Sequence, residues 1–118
     1  MSSKISVNHT KGFLKDLKWL LKKYPSLISD LEQLNSILVS NPQTGTHLGN
    51  NTYKIRLAIK SKGKGKSGGA RVVSFVETEL IARIENTTVN LLTIYDKSEI
   101  ASISTEKILE LIRKMRFE

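Results

Sequence analysis

The 118-residue chain contains no cysteine, which excludes a disulfide framework and any thiolate metal site. No apolar run approaches the ~18 residues that span a bilayer. The opening MSSKISVNH lacks the apolar stretch of a secretory leader, so a soluble cytoplasmic protein is expected. Aromatic residues make up only 6%, which argues against a sheet of base-stacking platforms. The two histidines, His9 and His47, are not at metal-ligand spacing with a carboxylate, and neither a metal nor a cofactor is expected.

Acidic residues are also missing from one long stretch. Between Lys54 and Arg71 stand Lys54, Arg56, Lys60, Lys62, Lys64, Lys66 and Arg71, with no Asp or Glu. Without those seven the net charge falls from +8 to +1, so the excess is one local patch. A basic patch on a nearly neutral protein is the electrostatic footprint of a polyanion partner.

Hydrophobic residues, at 39%, suffice for a single domain over residues 1–118. KISVN (4–8) reads as a short first strand. Thr10 can cap a helix on which Phe13, Leu17, Leu20 and Tyr24 recur at helical spacing. Trp19 and Tyr24 are expected to be helix packing rather than base-stacking platforms. After a break at Pro25, Leu27, Leu31, Leu34 and Leu38 form a second helical stripe. NPQTG (41–45) is turn sequence. The period then becomes two: Tyr53, Ile55, Leu57 and Ile59 alternate with Lys54, Arg56, Ala58 and Lys60, a strand with one apolar and one basic face. A second strand is predicted from Ala70 to about Ile84, kinked near Glu77–Glu79, followed by a turn at ENTT (85–88) and a central strand at VNLLTIY (89–95). The last helix is capped by Ser104, stapled by Ile103 and Ile108, and buries Ile108, Leu111, Ile112 and Met115. Two N-terminal helices, an antiparallel-rich sheet and a C-terminal helix make an α+β domain.

The basic patch contains KSKGKGKSGGAR (60–71). Gly65-Lys66-Ser67 matches the end of a phosphate-cradling P-loop, but the first glycine of that motif would fall on Lys60, and strand sequence follows where a helix must open. The expectation is instead a flexible inter-strand connection. There Lys60, Lys62, Lys64 and Lys66 act as adaptable charges for a phosphate backbone, flanked by Lys54, Arg56 and Arg71 on fixed strand positions.

THLGNNTYKIRLA (46–58), KGKGKSGGARVVSF (62–75) and LLTIYDKSE (91–99) together resemble the RelE/ParE toxin superfamily, most closely its HigB-like branch, over nearly the whole chain. The resemblance implies a compact fold of helices on a partly mixed sheet. It also implies the toxin of a type II toxin–antitoxin pair: a metal-independent, ribosome-dependent endoribonuclease that cuts messenger RNA by attack of the 2′-OH on the adjacent phosphate. By the same resemblance Arg56 and Arg71 would hold the scissile phosphate, and Lys54 or Lys97 would assist proton transfer or leaving-group charge. Some RelE enzymes use a tyrosine near the last helix. Here no tyrosine or histidine follows Tyr95, which either reaches the site from its strand or is buried by its alternation. The implied partners are the ribosome with its messenger RNA and a helix-turn-helix, DNA-binding antitoxin, with the toxin a monomer in that complex. Two other functions compete, a ParE-like inhibitor of DNA gyrase and a non-catalytic ribosome- or RNA-binding module.

Overall fold

A computed structural model describes residues 2–118. In chain order the elements are β1 (Ser2–His9), α1 (Lys11–Leu21), α2 (Leu27–Ser40), β2 (Thr46–Gly49), β3 (Thr52–Leu57), β4 (Ala70–Ile81), β5 (Ile84–Asp96) and α3 (Thr105–Met115). The strands form one sheet in the order β1-β5-β4-β3-β2. β1 runs parallel to β5, from Ser2 opposite Ile84 to His9 opposite Leu91, and the other pairs are antiparallel. The architecture is the α+β arrangement expected, with a mixed five-stranded sheet.

Local chemistry explains the helix ends. Thr10 Oγ1 accepts from the Phe13 N–H and donates to the Leu91 carbonyl at 2.8 Å, so one hydroxyl caps α1 and pins it to β5. Ser104 caps α3 by accepting from the Lys107 N–H. α1 buries Phe13, Leu17 and Leu20, and α2 buries Leu27, Leu31, Leu34 and Leu38. These residues pack with Ile55, Leu57, Val72, Val76, Val89, Leu91 and Ile94 on one face of the sheet. On the opposite face, α3 packs Ile108 against Val73, Leu92 and Tyr95, with Ile103, Leu111, Ile112 and Met115 around them. Trp19 does not pack: it is 65% exposed, contrary to the expectation of helix packing.

Three strand predictions need correction. The ENTT segment is not a turn but part of β5; the chain reverses at Ala82-Arg83, both at positive φ (50° and 67°). The irregularity in the long hairpin lies at Val73/Ser74, not at Glu77–Glu79: Val73 pairs with Thr93 and Ser74 with Leu91, which leaves Leu92 as a bulge. That bulge resets the alternation, so Leu91 and Ile94 both face α1 and α2 while Leu92 and Tyr95 face α3. Finally, the edge strand β2 was not foreseen. It joins β3 through Asn50-Asn51, both at positive φ (51° and 60°), a conformation that asparagine tolerates.

Candidate functional site

The sheet register brings three of the candidate residues into one row. Arg56 on β3 lies opposite Arg71 on β4, and Arg71 lies opposite Tyr95 on β5. Lys54, two residues before Arg56, shares its face and lies opposite Val73. Val73 belongs to the cluster under α3, so the row occupies the α3 face of the sheet. Arg56 is exposed, Lys54 half-buried, and Arg71 and Tyr95 buried.

Directly opposed residues on neighbouring strands have Cβ atoms about 4.5–5.5 Å apart, and like charges there are destabilising. Yet among the described residues no carboxylate lies within salt-bridge distance of Lys54, Arg56 or Arg71. Arg71 Nη1 donates to the main-chain carbonyls of Lys66 (2.8 Å) and Ala70 (3.1 Å), which orients the guanidinium without neutralising it. The arrangement therefore favours an anion from outside. Burial pushes the Tyr95 phenol above its ordinary value, against the opposing pull of the Arg71 charge. At neutral pH it is a hydrogen-bond donor, not a base.

The glycine-lysine segment is a folded connection. After β3, Ile59 is buried and Lys60–Lys62 forms a single 3₁₀ turn, which Gly63 ends at φ 72°. Gly69 has no room for a side chain: a Cβ there would come 2.1 Å from the Leu57 carbonyl oxygen. The Gly69 carbonyl accepts from the Lys97 N–H, joining this loop to the end of β5. Ser26 and Asp30 of the α2 region hold the other side. Ser26 Oγ accepts from the Ser61 N–H (2.9 Å) and donates to Asp30, which also accepts from the Lys60 N–H.

The loop lysines do not behave alike. Lys60, Lys64 and Lys66 are exposed, and Lys60 and Lys66 line, with Arg56, a cavity of about 170 Å³ between α2 and β3. Lys62 is committed internally: its Nζ lies 2.6 Å from Asp96 Oδ1 and 3.0 Å from Ser98 Oγ, and over the Tyr24 ring. Lys97 Nζ donates to the Ala101 carbonyl and braces the turn after β5. Neither Lys62 nor Lys97 belongs to the Arg56–Arg71–Tyr95 row.

Asp96 is the residue that sequence reasoning missed. Its buried carboxylate accepts from Lys62, from the Tyr24 hydroxyl (2.7 Å) and from the Ser98 N–H and hydroxyl. The hydrogen bond to Asp96 pushes the Tyr24 phenol up. The available signal was a lone acid closing the apolar run LLTIY, where a buried charge must find a partner.

No family model matches the chain, and no curated protein matches it.

Proposed function

We propose that this chain is the toxin of a type II toxin–antitoxin pair, of the RelE/ParE superfamily and its HigB-like branch. On this reading it is a ribosome-dependent endoribonuclease that cleaves messenger RNA during translation in the cytoplasm. The observation that carries the reading is the Arg56–Arg71–Tyr95 row: two arginines face each other across adjacent strands with no carboxylate among the described residues bonded to either. A phosphodiester set between them relieves their repulsion, and its charge is largest in the transition state of phosphoryl transfer.

In the proposed reaction the 2′-hydroxyl gives its proton to water as its oxygen bonds to the adjacent phosphorus, the bond to the 5′-oxygen breaks, and the 5′-oxygen leaves as a hydroxyl with a proton that solvent then restores to its donor. Arg56 and Arg71 carry the negative charge on the non-bridging oxygens with their planar forks. Tyr95, protonated at neutral pH, is a donor to the departing 5′-oxygen. Lys54, on the same face, is the cation nearest in sequence to that pair. Lys60, Lys64 and Lys66 engage flanking RNA as point charges. The partner is an antitoxin that covers this basic face.

The test adds the purified protein to messenger RNA translated on bacterial ribosomes and maps new 5′ ends by primer extension. Cuts at codon positions are expected with ribosomes, none without them, and none with Arg71→Ala. Absence of cuts from folded wild-type protein rejects the nuclease. A second reading, a non-catalytic RNA-binding module, is favoured by the burial of Tyr95 and by the two main-chain bonds that occupy Arg71. It predicts salt-dependent RNA binding without cuts.

A further inference from the structure

Trp19 is the only tryptophan in the chain, and its indole stands out from α1 at 65% exposure. A large aromatic ring left in water on a well-packed helix has no role in holding the fold. Its neighbours are chosen in charge. Lys15 and Lys22 lie one helical turn on either side, and Lys18 precedes it. Lys22 Nζ sits 5.4 Å from the indole centroid. Among the described residues no carboxylate lies within salt-bridge distance of Lys15, Lys18 or Lys22. The one acid of the helix, Asp16, accepts a hydrogen bond from Thr93 at 2.7 Å and so is turned to the sheet.

This surface leads to Tyr95, at one end of the row. Lys15, Lys18, Trp19 and Lys22 border a shallow depression of about 420 Å³. Lys15 and Asp16 also border a larger groove of about 670 Å³ between α1, α3 and the end of β5, and Tyr95 lines that groove. Lys107 and Lys114 of α3 line its far wall, each paired with Glu110.

We infer that Trp19 is a base-stacking platform for single-stranded RNA, holding an unpaired nucleotide that flanks the one at the Arg56–Arg71–Tyr95 row. Lys15, Lys18 and Lys22 take its phosphates, and the strand runs through the groove beside Tyr95. An exposed indole ringed by unpaired lysines fits an anion that carries a π face, which is a nucleotide. The inference rests on the proposed reading that the row takes RNA. It differs from that reading in needing neither a ribosome nor cleavage.

The test uses the full chain and Trp19 itself as the fluorophore. A short single-stranded oligoribonucleotide is titrated in, with inorganic polyphosphate as a polyanion without bases and phosphatidylcholine–phosphatidylglycerol vesicles as an anionic surface. The expected result is quenching of indole emission by RNA and little change with polyphosphate or vesicles. Binding of a labelled oligonucleotide, followed by anisotropy, weakens roughly 5- to 150-fold in Trp19→Ala, the range for loss of one stacked base. Trp19→Phe restores most of it. Equal affinity in Trp19→Ala and wild type overturns the inference. So does equal quenching by polyphosphate, or a vesicle-induced emission shift without a response to RNA. If ribosome-dependent cuts are absent while RNA still quenches Trp19, the nuclease reading fails and the platform stands. If cuts occur and Trp19→Ala binds normally, only the platform fails.

Discussion

Lys62 Nζ and Asp96 Oδ1 form an ion pair at 2.6 Å, with side-chain exposures of 12% and 0%, that fastens the loop after β3 to the end of β5. Burial alone would push the Asp96 carboxyl up. The bonds from Lys62, Tyr24 and Ser98 outweigh it and hold the group well below the usual carboxylate range. The folded-state value is depressed, so the stabilisation is complete above the unfolded-state carboxylate value and is lost as pH falls toward the folded one. Urea midpoints of the wild type should therefore decline below about pH 4, and that decline should flatten in Asp96→Asn. At pH 7, Asp96→Asn strands the buried ammonium and Lys62→Met strands the carboxylate. Each should cost about 3–5 kcal/mol in urea unfolding.

Glycine positions in the basic loop should differ sharply in tolerance. Gly69→Ala must displace the Leu57 carbonyl, because its Cβ would arrive at 2.1 Å. A loss of about 1–3 kcal/mol is expected, as for an overpacked core. Gly63, at φ 72° with open space where a Cβ would stand, should accept asparagine with little change. Thermal melts of Gly69→Ala and Gly63→Asn side by side check this; equal losses would refute it.

Arg56 and Arg71 are opposed like charges, and only Arg71 has hydrogen bonds to lose. Arg56→Ala should leave stability unchanged or raise it by about 0.2–1 kcal/mol, most clearly at low salt. On the proposed nuclease reading, the same variant should lower ribosome-dependent cleavage by roughly 10²-fold, the usual loss for a single transition-state donor. Urea titrations at two salt concentrations and the primer-extension assay measure the two effects separately.

The hairpin between β4 and β5 turns on Ala82-Arg83, and neither residue suits positive φ. Replacing the pair with Asn-Gly, which this turn type favours, should stabilise the protein by about 1 kcal/mol without affecting the row near the other end of the strands. Differential scanning calorimetry would detect the rise in Tm.

That turn also shows where the sequence could mislead. Turns are read from glycine, asparagine and proline, so ENTT looked like the reversal and Ala82-Arg83 did not. The helices were legible because their stripes and caps are local: Thr10 and Ser104 bond within three residues. Basic residues on the β3 face were legible from alternation alone, and so was Arg71 at the start of β4. What was not legible depends on pairing between distant segments. Arg71 meets Tyr95 through a register set by a bulge at Leu92. Lys62 looked like its neighbours in an alternating run until the fold set Asp96 beside it. Trp19, expected to pack, lies off the stripe that is buried, which runs through Phe13, Leu17 and Leu20.

The parallel pairing of β1 with β5 joins the beginning of the chain to a strand synthesised some eighty residues later, Ser2 meeting Ile84. A growing chain holds all of its basic patch before β5 exists, but the row needs Tyr95, and the loop needs Asp96 to fasten Lys62. Long-range pairing of this kind forms late and slowly. A copy that stops short of β5 is thus cationic but lacks the assembled row and the fastened loop.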